Sequence, residues 1–268
     1  MTESIFGTLK TNLKCSIICI FLLSTNLNAQ EKKDHDRSFQ GSLGLSLGSD
    51  IGGAVPVPVS NIPGTINAYP HVGPSLGVSV SFPFAEKWGC GADINYKTVA
   101  MKADARVNNQ RFNMDDATMY FSGTAQTDMK FIMLEVPMYT KYRFRSRNAV
   151  FTGLYYSYIL SSNFIADPLK GYAGSTPGIA EITDVSDITM DFSEYMTNWD
   201  LGFLAGYERT ILDKLRLSMR FSIGFKNVFK SSNKYFDYSM VHMRGCISLT
   251  YDMVKLKIKD RRFMLREE

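Results

Sequence analysis

Residues 132–145 read Ile132-Met133-Leu134-Glu135-Val136-Pro137-Met138-Tyr139-Thr140-Lys141-Tyr142-Arg143-Phe144-Arg145. The even-numbered positions are mostly apolar, whereas charged residues occupy only odd-numbered positions, beginning with Glu135. Because successive side chains of a β-strand point to opposite faces, this alternation predicts a strand with one apolar face and one charged face.

Seven further runs alternate in the same way, and most approach the roughly 9–11 residues with which a tilted strand crosses a membrane. They cover residues 39–47, 72–82, 88–96, 150–160, 199–207, 215–225 and 241–251.

The connections between the eight runs alternate in length. Residues 84–87, 145–148 and 212–214 form short connections, whereas the long ones cover residues 48–71, 102–128, 161–197 and 228–240. Short turns at one rim and long loops at the other are typical of outer-membrane barrels. The sequence therefore predicts an all-β fold, an eight-stranded antiparallel up-and-down transmembrane β-barrel surrounded by outer-membrane lipid.

A soluble lipocalin-like binding barrel is an alternative, because it would show the same alternation with its apolar face turned inward around a ligand. The turn asymmetry favours the membrane barrel. So do aromatic residues near the strand ends, as an interfacial girdle requires. These residues are Trp88, Phe144, Tyr158, Trp199 and Phe225.

The N-terminal segment predicts export, with the cell outer membrane as the final location. Lys10 and Lys14 precede the apolar run 17–23, and Ala29-Gln30 follows, which predicts a cleaved signal peptide over residues 1–29. A leader over residues 30–38, a barrel over 39–252 and a basic tail over 253–268 complete the predicted organisation. Within the tail, residues 254–259 alternate one residue out of phase, as either a bulged strand end or a periplasmic extension would.

Charge and cysteine content exclude some functions. The formal net charge is only +4 and the basic residues are scattered, so nucleic acid is not an expected partner. Cys90 and Cys246 fall on opposite faces of their predicted strands, so a disulfide is not expected.

If the apolar face meets lipid, a set of charged side chains projects into the lumen and forms a structural network of ion pairs. The set is Glu135, Lys141, Arg143, Asp200, Glu208, Arg216, Arg220 and Arg244. Eight strands leave an interior that side chains fill. Pro137 and the glycines at 153, 202 and 206 are also interpreted as structural, since glycine in a strand admits a bend or a large neighbour.

No catalytic, cofactor-binding or metal-binding residue is predicted, no cofactor is expected, and the chain is not predicted to be an enzyme. The alternative is an outer-membrane lipid-modifying enzyme, in which His71 or His242 at the long-loop rim would act with Ser231, Ser232 or Ser239. The acidic residues of the third long loop do not have the spacing of a calcium-binding loop.

Three segments together resemble the PorT-like outer-membrane β-barrel family of Bacteroidota. They are Leu134–Phe144 (LEVPMYTKYRF), Gly153–Leu160 (GLYYSYIL) and Asp200–Glu208 (DLGFLAGYE). The resemblance implies an outer-membrane barrel inserted from the periplasm, in a family whose namesake members take part in protein secretion. Four long loops on a barrel too narrow to transport much separately predict a non-enzymatic structural or partner-binding component of the outer membrane. Its partner would bind the external loops or the periplasmic rim, with a link to protein secretion or envelope assembly. One departure is that the last strand is followed by residues 252–268, whereas such barrels usually end on an aromatic residue.

Overall fold

The computed structural model describes residues 39–57, 66–114, 117–185, 187–236 and 238–258. The predicted signal peptide, the predicted leader and residues 259–268 of the predicted tail lie outside the described residues. Within the described ranges, no helix is long and apolar enough to cross a bilayer.

The described residues form nine strands, of which eight are long, and one short 3-10 turn at Ser193–Tyr195. The strands are β1 Phe39–Val57, β2 Ile66–Pro83, β3 Trp88–Met114, β4 Ala117–Arg145, β5 Asn148–Gly174, β6 Met190–Asp191, β7 Trp199–Leu212, β8 Leu215–Gly224 and β9 Ser239–Ile258.

The eight long strands close into a ring. Each pairs antiparallel with its neighbours in the order β1-β2-β3-β4-β5-β7-β8-β9, and β9 returns to β1. The closing ladder runs from Phe39↔Ile258 to Val57↔Ser239. The predicted eight-stranded antiparallel barrel is therefore confirmed, with the two-residue β6 added beside the outer part of β5.

Three tight turns gather at one rim, as predicted. Residues 84–87 join β2 to β3, residues 146–147 join β4 to β5, and residues 213–214 join β7 to β8. In outer-membrane barrels the short turns face the periplasm and the longer connections face outward. We therefore refer to these two rims as the periplasmic rim and the outer rim.

Three of the predicted long loops are wrong over much of their length. Within the predicted loop over residues 48–71, β1 continues to Val57 and β2 begins at Ile66. β3 continues to Met114 and β4 begins at Ala117, so the predicted loop over residues 102–128 is a paired hairpin. β5 likewise continues to Gly174, through the first part of the predicted loop over residues 161–197. The wall formed by β3, β4 and β5 therefore extends far beyond the length needed to cross a membrane.

The apolar residues of β3 change sides along the strand, which is why the alternation predicts a loop in its outer part. Up to Tyr96 the outward side chains are apolar, and Lys97 points into the barrel. From Val99 onward the buried inward positions are apolar, while outward Lys102 and Arg106 are exposed. The strand keeps its phase, but its outer face passes from lipid to water, so the apolar residues change sides.

A β-bulge explains the change of phase near the end of the chain. Gly44 pairs with Asp252, whereas the adjacent Leu43 pairs with Val254, so Met253 is the extra residue. β9 then continues to Ile258, past the predicted end of the barrel at Asp252, and its last residues pair with the start of β1.

Glycines beside aromatic side chains make room within the wall. Gly202 pairs with Tyr155 and Gly206 pairs with Phe151, and each aromatic ring lies over the glycine on the adjacent strand. A Cβ atom at Gly206 would come within 2.3 Å of the Phe151 ring and 2.5 Å of the Met219 carbonyl oxygen. The large neighbours are thus on the next strand and not across the lumen.

Substituting Gly206→Ala is expected to lower the free energy of unfolding by about 1–3 kcal/mol, because Phe151 and the β8 backbone must both shift. Gly245→Ala is the matched control, since the nearest atom to its added Cβ, on Ile51, is 3.5 Å away. Urea titration of both variants in lipid vesicles measures the difference. Equal midpoints would contradict the packing role of Gly206.

Candidate functional site

The outer face of the barrel is apolar over a continuous band. Leu47 is 61% exposed and Val72 is 68% exposed, although both are large aliphatic residues. A soluble ligand-binding barrel would instead turn this face inward. The soluble lipocalin-like alternative is therefore wrong.

Aromatic side chains mark both edges of this band, and all five predicted girdle residues are exposed. At the periplasmic rim the ring of Trp88 lies 4.8 Å from that of Tyr142, measured between centroids. Toward the outer rim the Lys226 ammonium lies 3.2 Å from the centre of the Trp199 ring. Such rings mark the membrane–water interface, where their polar parts remain hydrated.

One cluster of ion pairs inside the barrel is centred on Glu135, whose side chain is fully buried. Its Oε1 lies 2.9 Å from Lys97 Nζ and 3.1 Å from Arg220 Nη2. Its Oε2 lies 2.8 Å from Arg244 Nη2, and Lys97 Nζ also lies 3.0 Å from Asp50 Oδ1. These residues belong to β1, β3, β4, β8 and β9, so the cluster ties five strands together across the lumen.

A second cluster, nearer the periplasmic rim, is centred on Glu208. Lys141 Nζ lies 2.7 Å from Glu208 Oε1, and Arg216 Nη1 lies 2.8 Å from Oε2. Arg216 also donates through Nε and Nη2 to the carboxylate of Asp252. β4, β7, β8 and β9 are joined here.

Tyrosine hydroxyl groups hold two further carboxylates. Tyr139 donates a hydrogen bond of 3.0 Å to Asp93, and Tyr155 donates one of 2.7 Å to Asp200. The Arg244 guanidinium lies over the Tyr155 ring at 4.9 Å. The two clusters are thus linked to the aromatic residues of the wall.

The structure brings seven of the eight predicted lumen residues into the interior. Arg143 is the exception, and its prediction as a network member is corrected. Its strand position faces the same way as Lys141, but it lies beside the turn after β4, where its side chain reaches solvent. That the other seven serve only a structural role stays a prediction.

Four participants were missed. Asp93 lies on the polar face of the third predicted run, and Lys97 directly follows that run in the same phase, so the alternation already contained the signal for both. Asp50 was assigned to a loop and Asp252 to the edge of the tail, because β1 and β9 were each predicted too short.

The space remaining among these charged groups is small. A cavity of about 20 Å³ lies between the clusters and is lined partly by Asp93, Glu208 and Arg220. This volume holds roughly one water molecule, which needs at least about 10–15 Å³. The cavity between the two clusters is therefore of the size of a single water molecule.

Above the Glu135 cluster the interior becomes apolar. The ring of His242 packs edge-on against Phe131, with 4.8 Å between centroids, and Arg244 Nη1 lies 3.0 Å from the sulfur of Met133. These residues form a floor. Above it lies a cavity of about 110 Å³, which we call the chamber.

The chamber is walled largely by alanine and methionine. Ala103, Ala105, Ala125 and Ala166 are buried and line it. An unfilled apolar cavity of this volume costs about 2–3 kcal/mol of stability.

Aromatic side chains from the outer connections form a roof. The ring of Phe236 stacks on Phe229 at 4.5 Å and on Phe164 at 5.5 Å, and meets Phe192 at 4.8 Å, measured between centroids. Tyr238 also lines the chamber, and burial raises the pKa of its phenol to about 12.

The histidine and serine residues of the enzyme alternative are not brought together. His242 is 1% exposed inside the barrel, and neither ring nitrogen has a hydrogen-bond partner. Ser231, Ser232 and Ser239 are exposed outside. His71 is exposed and contacts the carbonyl oxygen of Tyr69.

No metal centre is found in the described part of the chain, where no three His, Cys, Asp or Glu side chains are placed to hold an ion. In the third outer connection, hydrogen bonds from Ser175 lower the pKa of the exposed Glu181. Cys90 is exposed and Cys246 is buried, and both are free thiols, as their opposite faces predicted.

An apolar exterior bounded by aromatic rings around a charged, filled interior defines an outer-membrane β-barrel protein. The chain belongs to the family described as "Outer membrane protein beta-barrel domain", whose sequence model matches residues 26–230. It is located in the outer membrane. No curated protein matches the sequence.

Several solved structures resemble the chain at low identity. Ail, the attachment invasion locus protein of Yersinia pestis, is 10% identical with a TM-score of 0.36, covering 79% of this chain and 98% of its own. Neisserial surface protein A is 11% identical with a TM-score of 0.39, at the same coverage. OprG from Pseudomonas aeruginosa is 10% identical with a TM-score of 0.32, covering 85% of this chain and 100% of its own.

Substituting Glu135→Gln is expected to destabilise the barrel by about 3–5 kcal/mol, because it leaves three buried cations around an uncharged amide. Arg143→Gln is the control, and its exposed position predicts a change within about 0.5 kcal/mol. Urea unfolding in vesicles, followed by tryptophan fluorescence, tests both. A Glu135→Gln variant as stable as Arg143→Gln would refute the structural role of the cluster.

Proposed function

We propose that this protein is a non-enzymatic outer-membrane barrel that binds a protein partner on the outer surface of its extended wall. The observation that carries the proposal is the length of β3, β4 and β5, which are 27, 29 and 27 residues long. Crossing the membrane needs only about 9–11 residues of a tilted strand. The remainder of each strand stands outside the bilayer.

The parts of β3, β4 and β5 that stand outside the bilayer, which we call the outer wall, form a surface that is ordered before a partner binds. β3 and β4 remain paired from the membrane to Met114↔Ala117, and β4 and β5 remain paired to Tyr120↔Gly174. The apolar core behind the wall holds it from the inside. A surface that is ordered before binding loses less conformational entropy when a partner docks.

The filled lumen supports binding over transport. The cavity of about 20 Å³ among paired charges has room for roughly one water molecule, which is too little for a larger solute. The barrel interior therefore supports the shape of the wall, and the proposed activity lies outside it.

The resemblance of residues 134–208 to PorT-like proteins supports a narrower form of the proposal. In that form the partner belongs to a machinery for protein secretion or envelope assembly. The outward face of the wall carries exposed Lys102, Arg106 and Lys170, which charge substitution can address without disturbing the core.

Deleting the gene is expected to impair secretion, surface assembly or resistance to detergent. Full complementation should fail with a triple outer-wall variant, Lys102→Glu, Arg106→Glu and Lys170→Glu. Reversed charges at a docking surface can cost several kcal/mol of binding free energy. We therefore expect the affinity for the partner to fall by about tenfold or more.

The matched control reverses three exposed charges at the periplasmic rim, by Lys87→Glu, Arg145→Glu and Arg147→Glu, and should complement fully. Heat-modifiable migration on gels first establishes that both variants are folded in the outer membrane. The proposal is overturned by a deletion with no phenotype, or by failure of the rim variant while the outer-wall variant complements.

The purified protein is also expected to produce no stepwise ion conductance in planar bilayers, because the paired charges fill the lumen. A porin of about 16–18 strands, which leaves an aqueous channel, serves as the positive control. Reproducible conductance steps from the folded protein would show that the interior opens.

A further inference from the structure

The chamber is lined mainly by apolar side chains. Its polar lining groups are largely used within the protein: Thr127 Oγ1 donates to the Ala103 carbonyl oxygen at 3.0 Å, and Gln110 Nε2 donates to the Tyr235 carbonyl oxygen at 2.8 Å. Alanine occupies wall positions where larger apolar residues would fill the space. The result favours an apolar occupant over water, which requires several polar partners.

The ladder between the described parts of β1 and β2 stops beside the chamber. Within the described residues, β1 and β2 pair only from Ser42↔Ser81 to Ile51↔Val72. Farther out, β1 pairs with β9 and β2 pairs with β3, but the two strands do not pair with each other. Val55 on β1 and Ala68 on β2 both line the chamber, so it reaches this opening from both sides.

The sequence of the two edges accounts for the opening. Gly52, where the strands part, has a φ of 143°, which side-chain-bearing residues rarely adopt. Continuing the register past Ile51↔Val72 would set Gly53 against Pro70 and Pro56 against Asn67. Proline has no N–H group to donate to a ladder, so these edges are poorly suited to closing.

The opening begins at the apolar band. Ile51 and Val72, the last paired residues, are exposed on the outer face of the barrel. The opposite direction, toward the periplasm, is blocked by Phe131, His242 and the Glu135 cluster. Among the described residues, the gap in the β1–β2 ladder therefore offers a sideways route to the chamber from the outer edge of the membrane.

We propose that the chamber binds a small uncharged apolar molecule, about the size of one aromatic ring, which enters and leaves between β1 and β2. The volume of about 110 Å³ suits such a molecule. Apolar cavities of about 150 Å³ in proteins stay dry and bind benzene. This binding role is independent of the proposed docking on the outer wall.

The test uses fluorobenzene as the probe and the full barrel in lipid nanodiscs, with binding followed by fluorine NMR. The wild-type protein should broaden the probe signal beyond that of empty nanodiscs. Ala103→Phe places a ring in the chamber and should weaken binding by about tenfold or more. Ala100→Phe, on the outward face of the same strand, should leave the affinity within about twofold.

Folding of each variant is checked by heat-modifiable migration on gels. A second pair of positions tests whether the ligand enters between β1 and β2. In a Cys90→Ser background, Val55→Cys and Ala68→Cys are joined by a short linker that a reductant removes. The linked protein should exchange the probe about tenfold more slowly at unchanged affinity, and reduction should restore the rate.

Three results would overturn the proposal. They are no broadening by the wild type, equal binding by the Ala103→Phe and Ala100→Phe variants, or an exchange rate that linking does not change. A fourth is a lipid retained by the wild type but not by Ala103→Phe in native mass spectrometry, which would assign the chamber to an acyl chain.

Discussion

The rest of the structure depends on closure of the backbone hydrogen-bond ladder within lipid. No water is available there for unpaired N–H and C=O groups, so a sheet that crosses the membrane must have no free edge. The β1–β9 ladder removes that edge, and the bulge at Met253 lets it continue to Ile258. With eight strands, closure leaves a narrow interior, which side chains must fill.

Closure in lipid also decides where charge can lie. Polar side chains are forced inward, where a lone charge is costly, so they are found as mutually compensating sets. Glu135 is surrounded by three cations and Glu208 by two. Because the partners come from different strands, the clusters favour one arrangement of the ring.

The sequence predicted the membrane-crossing half of the fold well, since one apolar phase runs along each strand there. It does not predict the outer half, where the apolar phase passes to the inside at Val99 and Met133 and the strands continue through the predicted loops. Arg143 and Asp50 show the same limit for the site. Whether a position is odd or even in its strand predicts the face on which the side chain lies. How buried the side chain is depends on where the strand ends and on its neighbours.

The chamber lies where the two halves of the interior meet. Toward the periplasmic rim, the exterior faces lipid and the polar side chains point into the interior. Toward the outer rim, the exterior faces water and the interior is an ordinary apolar core. Large residues such as Phe131 and Phe236 fill the floor and roof, whereas Ala103 and Ala125 leave the middle open. The β1–β2 opening lies at this same level, beginning at Gly52. Three independent features, namely small wall residues, an aromatic roof and interrupted strand pairing, thus coincide at one depth.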